Sequence, residues 1–223
     1  IAGLESTTAT STTNASIIQA SFTYGTDLAT AEQKILQAIN RIKSSLPDGV
    51  EPNVVSFSIE PGRACYVPLC HNYTGAPTQM DCAGTLARLA AWFGDPAKKK
   101  LGQNVKYDEH GLANEGIVLR GVVHDTLLES YVLESHRPHD MDSLAWRHLN
   151  VKTTTYDEVT GKGANRIPFE QVEVERAAHY SSEDADVTLR LHRALYPAIE
   201  KDAKLIYVYT KLELPVRDVL FRM

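Results

Sequence analysis

Two aspartates occupy positions where a helix would ordinarily place a core residue. In the segment AAHYSSEDADVTLRLHRAL (177–195), Tyr180, Asp184, Val187, Leu191 and Leu195 recur at spacings of three and four, so they share one stripe of a helix. Four of the five suit a core. Asp184 does not, because a carboxylate on an apolar face must be neutralised, hydrogen-bonded or matched with a cation. Asp108 poses the same problem in GQNVKYDEHGLA, where Val105, Asp108 and Leu112 lie on one face. Two helices that each present one inward acid can meet around a hard cation, which prefers oxygen ligands. With two such ions about 4 Å apart, one activates a water while the other stabilises the leaving oxygen of a phosphodiester. Tyr180, one turn before Asp184, carries a hydroxyl that could orient that water. An isolated inward aspartate also serves to cap a neighbouring helix or to pair with a lysine, and spacing alone leaves both readings open.

Other reactive side chains carry weaker signals. Asp186 points to the far side of its helix and Glu183 lies off the stripe, so both are expected to be solvated. His124-Asp125 reads as a helix cap rather than a catalytic pair. The eight histidines contain no HExxH or comparable cluster, so zinc is not expected. GKG at 161–163 lacks the spacing and the Ser/Thr of a P-loop and reads as a mobile turn. Cys65, Cys70 and Cys82 are too few and too irregular for a disulfide framework and read as buried free thiols in a reducing compartment.

Bulk composition narrows the function classes. The chain has 223 residues, 43% of them hydrophobic, enough for one sizeable core or a domain with a smaller appendage. A net charge of −5 argues against a protein that coats duplex nucleic acid through a broad cationic surface. It leaves open a small pocket for a few nucleotides, in which a metal supplies the positive charge. No apolar run approaches the roughly 18–20 residues of a spanning helix, and no signal peptide is recognised. A cytoplasmic protein without a membrane partner is expected.

The elements that must position the acids follow from periodicity. Residues 5–15 read as an edge strand or loose lead-in, and 16–24 as a strand. A helix over 28–46 is expected, stopped by Pro47 and Gly49. PNVVSFSIEPG and RACYVPLC read as two strands joined by a Pro-Gly turn. A loop leads into a helix around 83–93. From residue 97 strand and helix alternate: a short strand in AKKKLGQ, a helix capped by Asn104, a strand in VLRGVVH, and a helix capped by Asp125. Then come a helix in DMDSLAWRHLN, a short helix, a glycine-rich loop, and a long helix with Pro168 in its first turn. Such an order predicts an α/β domain.

Several of these phrases together resemble the 3′–5′ exonuclease (proofreading) domain of bacterial DNA polymerase I: FSIEPGRACYVPLCH, GQNVKYD, GIVLRGVVHDTLLESYVLES, HDMDSLAWRHL, GKGANRIPF and YSSEDADVTLRLH. The resemblance runs in order from about Ser56 to Leu220. It implies a ribonuclease-H-like (DnaQ-like) fold, a mixed sheet flanked by helices. It also implies two Mg²⁺ or Mn²⁺ ions held by four carboxylates and a tyrosine, and a single-stranded 3′ DNA end as substrate. Asp108 and Asp184 fall on metal ligands of that family, and Tyr180 on its water-orienting tyrosine. Gln103, Asn104 and Tyr107 match polar positions near the bound 3′ end. Tyr156 matches an aromatic position against the terminal bases. In SHRPHD, Pro138 stands before His139 where the family usually has Arg.

One departure decides the expected activity. The family's first motif, Asp-x-Glu, supplies two of the four metal ligands, and no Asp-x-Glu occurs in residues 1–55. That stretch instead resembles a β-α-β piece of the porter domain of resistance-nodulation-division efflux pumps, through FTYGTDL and LPDGVEPNV. Gly25 and Asp27 only loosely echo the missing motif. The sequence therefore reads as a chimera: a porter-like segment (1–55), an exonuclease-like domain (56–209) and the truncated start of a linker towards a polymerase domain (210–223). Nucleic-acid hydrolysis is expected to be abolished or nearly so. Two rival readings are a non-catalytic domain bracing a polymerase and a fragment of an efflux transporter.

Overall fold

The computed structural model describes residues 4–12, 15–22 and 54–222. The chain divides into two units, residues 1–49 and 50–223. In the first, β1 (Leu4–Thr12) and β2 (Ala15–Phe22) form an antiparallel hairpin with Thr12 opposite Ala15. The threonine-rich lead-in is thus a paired strand, as β-branched residues favour. The helix expected over 28–46, and with it the porter-like helix and Asp27, lies outside the described residues.

In the second unit β3 (Val54–Glu60) turns through Pro61-Gly62 into β4 (Arg63–Pro68), with Ser56 opposite Tyr66. A second ribbon pairs β5 (Lys100–Gly102) with β6 (Val122–Asp125) in parallel. The expected single mixed sheet is therefore corrected: the described strands make three two-stranded ribbons. Backbone geometry stops β5 early and starts β6 late. Asn104 takes φ +55 just after β5, and Gly121 takes φ +75 just before β6. A Cβ at Gly121 would stand 2.6 Å from the Lys98 carbonyl oxygen, so only glycine fits there. The strand expected from residue 118 accordingly begins at Val122.

Eight α-helices are described: α1 (Cys82–Phe93), α2 (Val105–Asn114), α3 (Thr126–Glu134), α4 (Met141–Leu144), α5 (Tyr156–Thr160), α6 (Val174–Lys201), α7 (Ala203–Val208) and α8 (Leu214–Arg222). π-helical turns follow α4 (Ala145–Leu149) and α7 (Tyr209–Glu213). Asp81 caps α1 and Asp125 caps α3, while Thr155 and Glu158 close a capping box on α5. Two expectations about starts are corrected. Asn104 makes no side-chain cap on α2, because its left-handed backbone turns the amide away from the helix. Pro168 precedes a 3₁₀ turn (Phe169–Gln171), and α6 begins only at Val174.

Helix α6 organises the core. Its Val187, Leu191 and Leu195 are buried with Leu144 and Ala145, and its Ala177 closes a cluster of Val159, Phe169 and Val172 against which Tyr180 packs. A further cluster joins Val55 and Leu69 to Leu86, Phe93, Leu112 and Ile117. Along its length α6 also packs on β3, β4 and α3. The cysteine expectation is corrected too: Cys70 and Cys82 are joined in a disulfide, with Cα atoms 6.1 Å apart, and Cys65 is free and exposed. The loop after β4 folds back onto the start of α1, a closure that residue spacing does not announce. Among the described residues no helix is long and apolar enough to cross a membrane.

Candidate functional site

Asp184 sits on the inner stripe of α6 with its carboxylate largely removed from water. Its Oδ1 is buried and has no hydrogen-bond partner among the described residues. Burial pushes its pKa from 3.8 up to about 7; the nearby Asp142 and Glu183 add to the rise, and the Tyr180 hydroxyl against the carboxylate partly offsets it. Burial, with Asp184 beside it, likewise drives the Tyr180 phenol well above its ordinary range. A buried acid with an unpartnered oxygen and two acidic neighbours has the donor chemistry of an oxygen-preferring cation site.

Asp108 differs from its expected setting. It shares the α2 face with Val105 and Leu112, yet its side chain is solvent-exposed whereas theirs are buried. Desolvation by nearby protein raises its pKa, with the Asp125 charge as a second cause. The exposure governs, because water reaching the carboxylate limits that rise. Close packing of β5 against α2 sets its place. A Cβ at Gly102 would lie 2.7 Å from Val105 Cγ2 and 3.8 Å from Asp108 Oδ2. The two acids have different neighbours: Asp108 feels Asp125, and Asp184 feels Asp142 and Glu183.

The start of α2 is held from β6. Asp125, 2% exposed, accepts the backbone N–H groups of Asn104 and Val105 at 2.9 Å while capping its own helix at Leu127. Gln103 is engaged internally: its amide nitrogen donates to the His139 carbonyl oxygen at 2.8 Å and its oxygen accepts from the Thr126 hydroxyl. Asn104 leaves its side chain on the exposed surface.

An aromatic surface lies beside Asp184. Tyr156 stacks on Phe169 at 6.1 Å between ring centroids and meets Tyr180 edge-on at the same separation. The Arg166 guanidinium lies 5.8 Å over the Tyr156 ring. Tyr156 and Tyr107 are 43% and 57% exposed, and partial burial, then the nearby Tyr107, raise the Tyr156 pKa. Trp146, on the π turn after α4, is also exposed. It borders an open hollow of about 380 Å³ lined with Asp142, Lys152, Thr153 and Thr155.

Three further acids, Glu183, Asp186 and Asp142, shape this region. Glu183 accepts the Thr154 N–H at 2.7 Å, and Asp186 accepts the Gly62 N–H at 2.6 Å and pairs with Arg190. Both were expected to be solvated, and the expectation is corrected: the 153–155 segment and the β3–β4 turn bring N–H donors to them. Asp142, in the first turn of α4, accepts from the Thr153 hydroxyl at 2.6 Å, and nothing in its local pattern singled it out.

Residues 44–200 match a family model described as 3′–5′ exonuclease. DNA polymerase I of Pseudomonas aeruginosa is 48% identical over 172 residues, 76% of this chain and 19% of that protein. DNA polymerase I of Rhizobium leguminosarum is 41% identical over 170 residues, 72% of this chain and 16% of that protein. The chain thus spans less than a fifth of the length of these relatives. Among solved structures, the POL domain of Pol1 from M. smegmatis in complex with DNA primer-template and dNTP superposes with a TM-score of 0.51 at 22% identity, over 82% of this chain and 30% of that one. Brucella melitensis NrnC bound to pGG superposes with a TM-score of 0.52 at 19% identity, over 77% and 79%. At these identities the structures speak for the fold alone: α/β, DnaQ-like, rich in helices with small sheets.

Proposed function

Since the chain belongs to the 3′–5′ exonuclease family of DNA polymerase I type, we propose that it binds single-stranded 3′ DNA ends but has lost most or all of its power to hydrolyse them. The observation that carries this reading is the pairing of a retained half-site with a missing motif. Asp184 keeps an unpartnered buried oxygen beside Tyr180 and exposed aromatic rings, whereas no Asp-x-Glu precedes β3.

Asp108 and Asp184 would hold Mg²⁺ or Mn²⁺, which when bound supplies water activation and charge stabilisation. Tyr180 would orient the water through its hydroxyl. Asp142 and Glu183 lie near Asp184 but are each tied by one oxygen to the 153–154 segment, and neither stands at the position of the missing Asp-x-Glu. Tyr156 and Tyr107 would stack on terminal bases irrespective of sequence, each base contributing about 1–3 kcal/mol. Gln103 would act by fixing the β5–α2 passage, and Asn104 by offering its exposed amide near the DNA end.

A non-catalytic role beside a polymerase domain is the second reading, and the absent Asp-x-Glu favours it equally. Its place of work would be the cytoplasm. The efflux-pump resemblance of residues 1–55 rests on its quoted phrases. Nothing in the matches supports such a segment, and the family match begins at residue 44, inside it.

Fluorescence anisotropy with a 3′-labelled single-stranded oligonucleotide and with the same sequence as a blunt duplex tests the binding claim. Preference for the single strand, strengthened by Mg²⁺ and lost in Asp184→Ala, is the expected result. Equal affinity for both forms would overturn it.

A further inference from the structure

His124, Glu129 and His192 come together from β6, α3 and α6, and each offers a ligand atom within 4.8 Å of the other two. Glu129 is the centre. Its side chain is fully buried, its Oε1 lies 2.8 Å from His192 Nδ1 and 3.3 Å from His124 Nδ1, and its Oε2 has no hydrogen-bond partner among the described residues. The two imidazoles face each other with centroids 4.2 Å apart and keep about a fifth of their side-chain surface exposed. Tyr209, 0% exposed, donates its hydroxyl to Glu129 Oε1 at 3.3 Å and accepts the Asp125 N–H at 3.0 Å.

We propose that His124, Glu129 and His192 form a site for a zinc-class cation, separate from the oxygen-ligand pair Asp108 and Asp184. Two imidazole nitrogens with one carboxylate are the borderline donor set that Zn²⁺ selects over Mg²⁺. Each imidazole would bind through Nδ1 with its proton on Nε2, and protons compete with the cation for that nitrogen, so affinity falls in acid. A fourth position is left for water at the exposed side of the rings. Tyr209 orients the carboxylate through its hydrogen bond to Oε1, as a partner outside the coordination sphere does. The cation offsets the charge of a fully buried acid, and a bidentate grip would also engage its orphaned Oε2. It also clasps β6 and α3 to α6 next to Asp125, the residue that holds the first turn of α2.

The test uses the whole chain, stripped with chelator and dialysed against Zn²⁺ in the presence of Mg²⁺. Elemental analysis is expected to find one retained Zn²⁺. Co²⁺ in its place is expected to give the visible absorption of a four-coordinate N/O site, and Zn²⁺ to raise the unfolding temperature. His124→Phe, which keeps ring volume and leaves the His192–Glu129 bond intact, and Glu129→Gln should each weaken Zn²⁺ binding roughly a hundredfold. Asp108→Asn/Asp184→Asn should retain it. Should Glu129→Gln fail to fold, His124→Phe decides alone. No retained Zn²⁺ in the parent, or equal affinity in His124→Phe, overturns the assignment.

Discussion

The carboxylate of Asp125 accepts the backbone N–H of Val105 at 2.9 Å, joining the end of β6 to the first turn of the helix that bears Asp108. The same buried acid accepts from Asn104 and Leu127, so it caps two helices at once. Burial is the leading cause of the rise in its own pKa, opposed by these N–H groups.

Replacing Asp125 by Ala removes one acceptor from three backbone donors in a water-poor site. A loss of about 3 kcal/mol is expected in urea denaturation, more than an ordinary helix cap contributes. Asp125→Asn keeps one acceptor oxygen and should lose less.

Asp184 makes stability depend on pH in a direction opposite to a salt-bridged carboxylate. Its folded pKa of about 7 exceeds the 3.8 of an unperturbed aspartate, so the folded state holds the proton more tightly than the unfolded chain. Its contribution is full below about pH 4 and is lost as pH rises through 7. The shift corresponds to roughly 4 kcal/mol at most, and partial solvent contact lowers this to about 2 kcal/mol. Metal-free Asp184→Asn should therefore gain stability relative to the parent between pH 4 and 8, as read from paired thermal melts. Mn²⁺ at pH 8 should raise the melting temperature of the parent and leave Asp184→Asn unmoved.

Tyr156 presents an exposed face that is braced from behind by Phe169 and Tyr180. Tyr156→Ala should weaken single-stranded DNA binding by about tenfold, the equivalent of one stacked base, while Tyr156→Phe should bind like the parent. Anisotropy titrations at fixed salt distinguish the two.

Leu191, on α6, is fully buried in a cluster with Leu144 and Ala145. Leu191→Ala should destabilise by about 2–5 kcal/mol through lost burial and the cavity left behind. The Asp184 and Tyr180 positions lie on the same helix, so DNA binding should fall in parallel with the folded fraction and not independently of it.

The helical stripe on α6 was legible because period and burial coincide: Val187, Leu191 and Leu195 are core residues, and Asp184 stands on their side of the helix without a full set of partners. The Asp125 cap was legible for its own helix, since capping is local, but its bonds to Asn104 and Val105 depend on a parallel pairing of β5 and β6 that no local pattern encodes. The Glu183 and Asp186 partners, the Cys70–Cys82 bond and the His124–Glu129–His192 cluster were hidden for the same reason. Each is made by residues that only the tertiary fold brings together. The expected mixed sheet failed differently, because glycine and asparagine in left-handed conformations cut β5 and β6 short.

Incubating the chain with a 5′-labelled single-stranded oligonucleotide and Mn²⁺, alongside Asp184→Ala, tests the central claim most directly. Full-length label with both proteins on a denaturing gel is the predicted result. A ladder of products shortened from the 3′ end by the parent, and absent with Asp184→Ala, would contradict it.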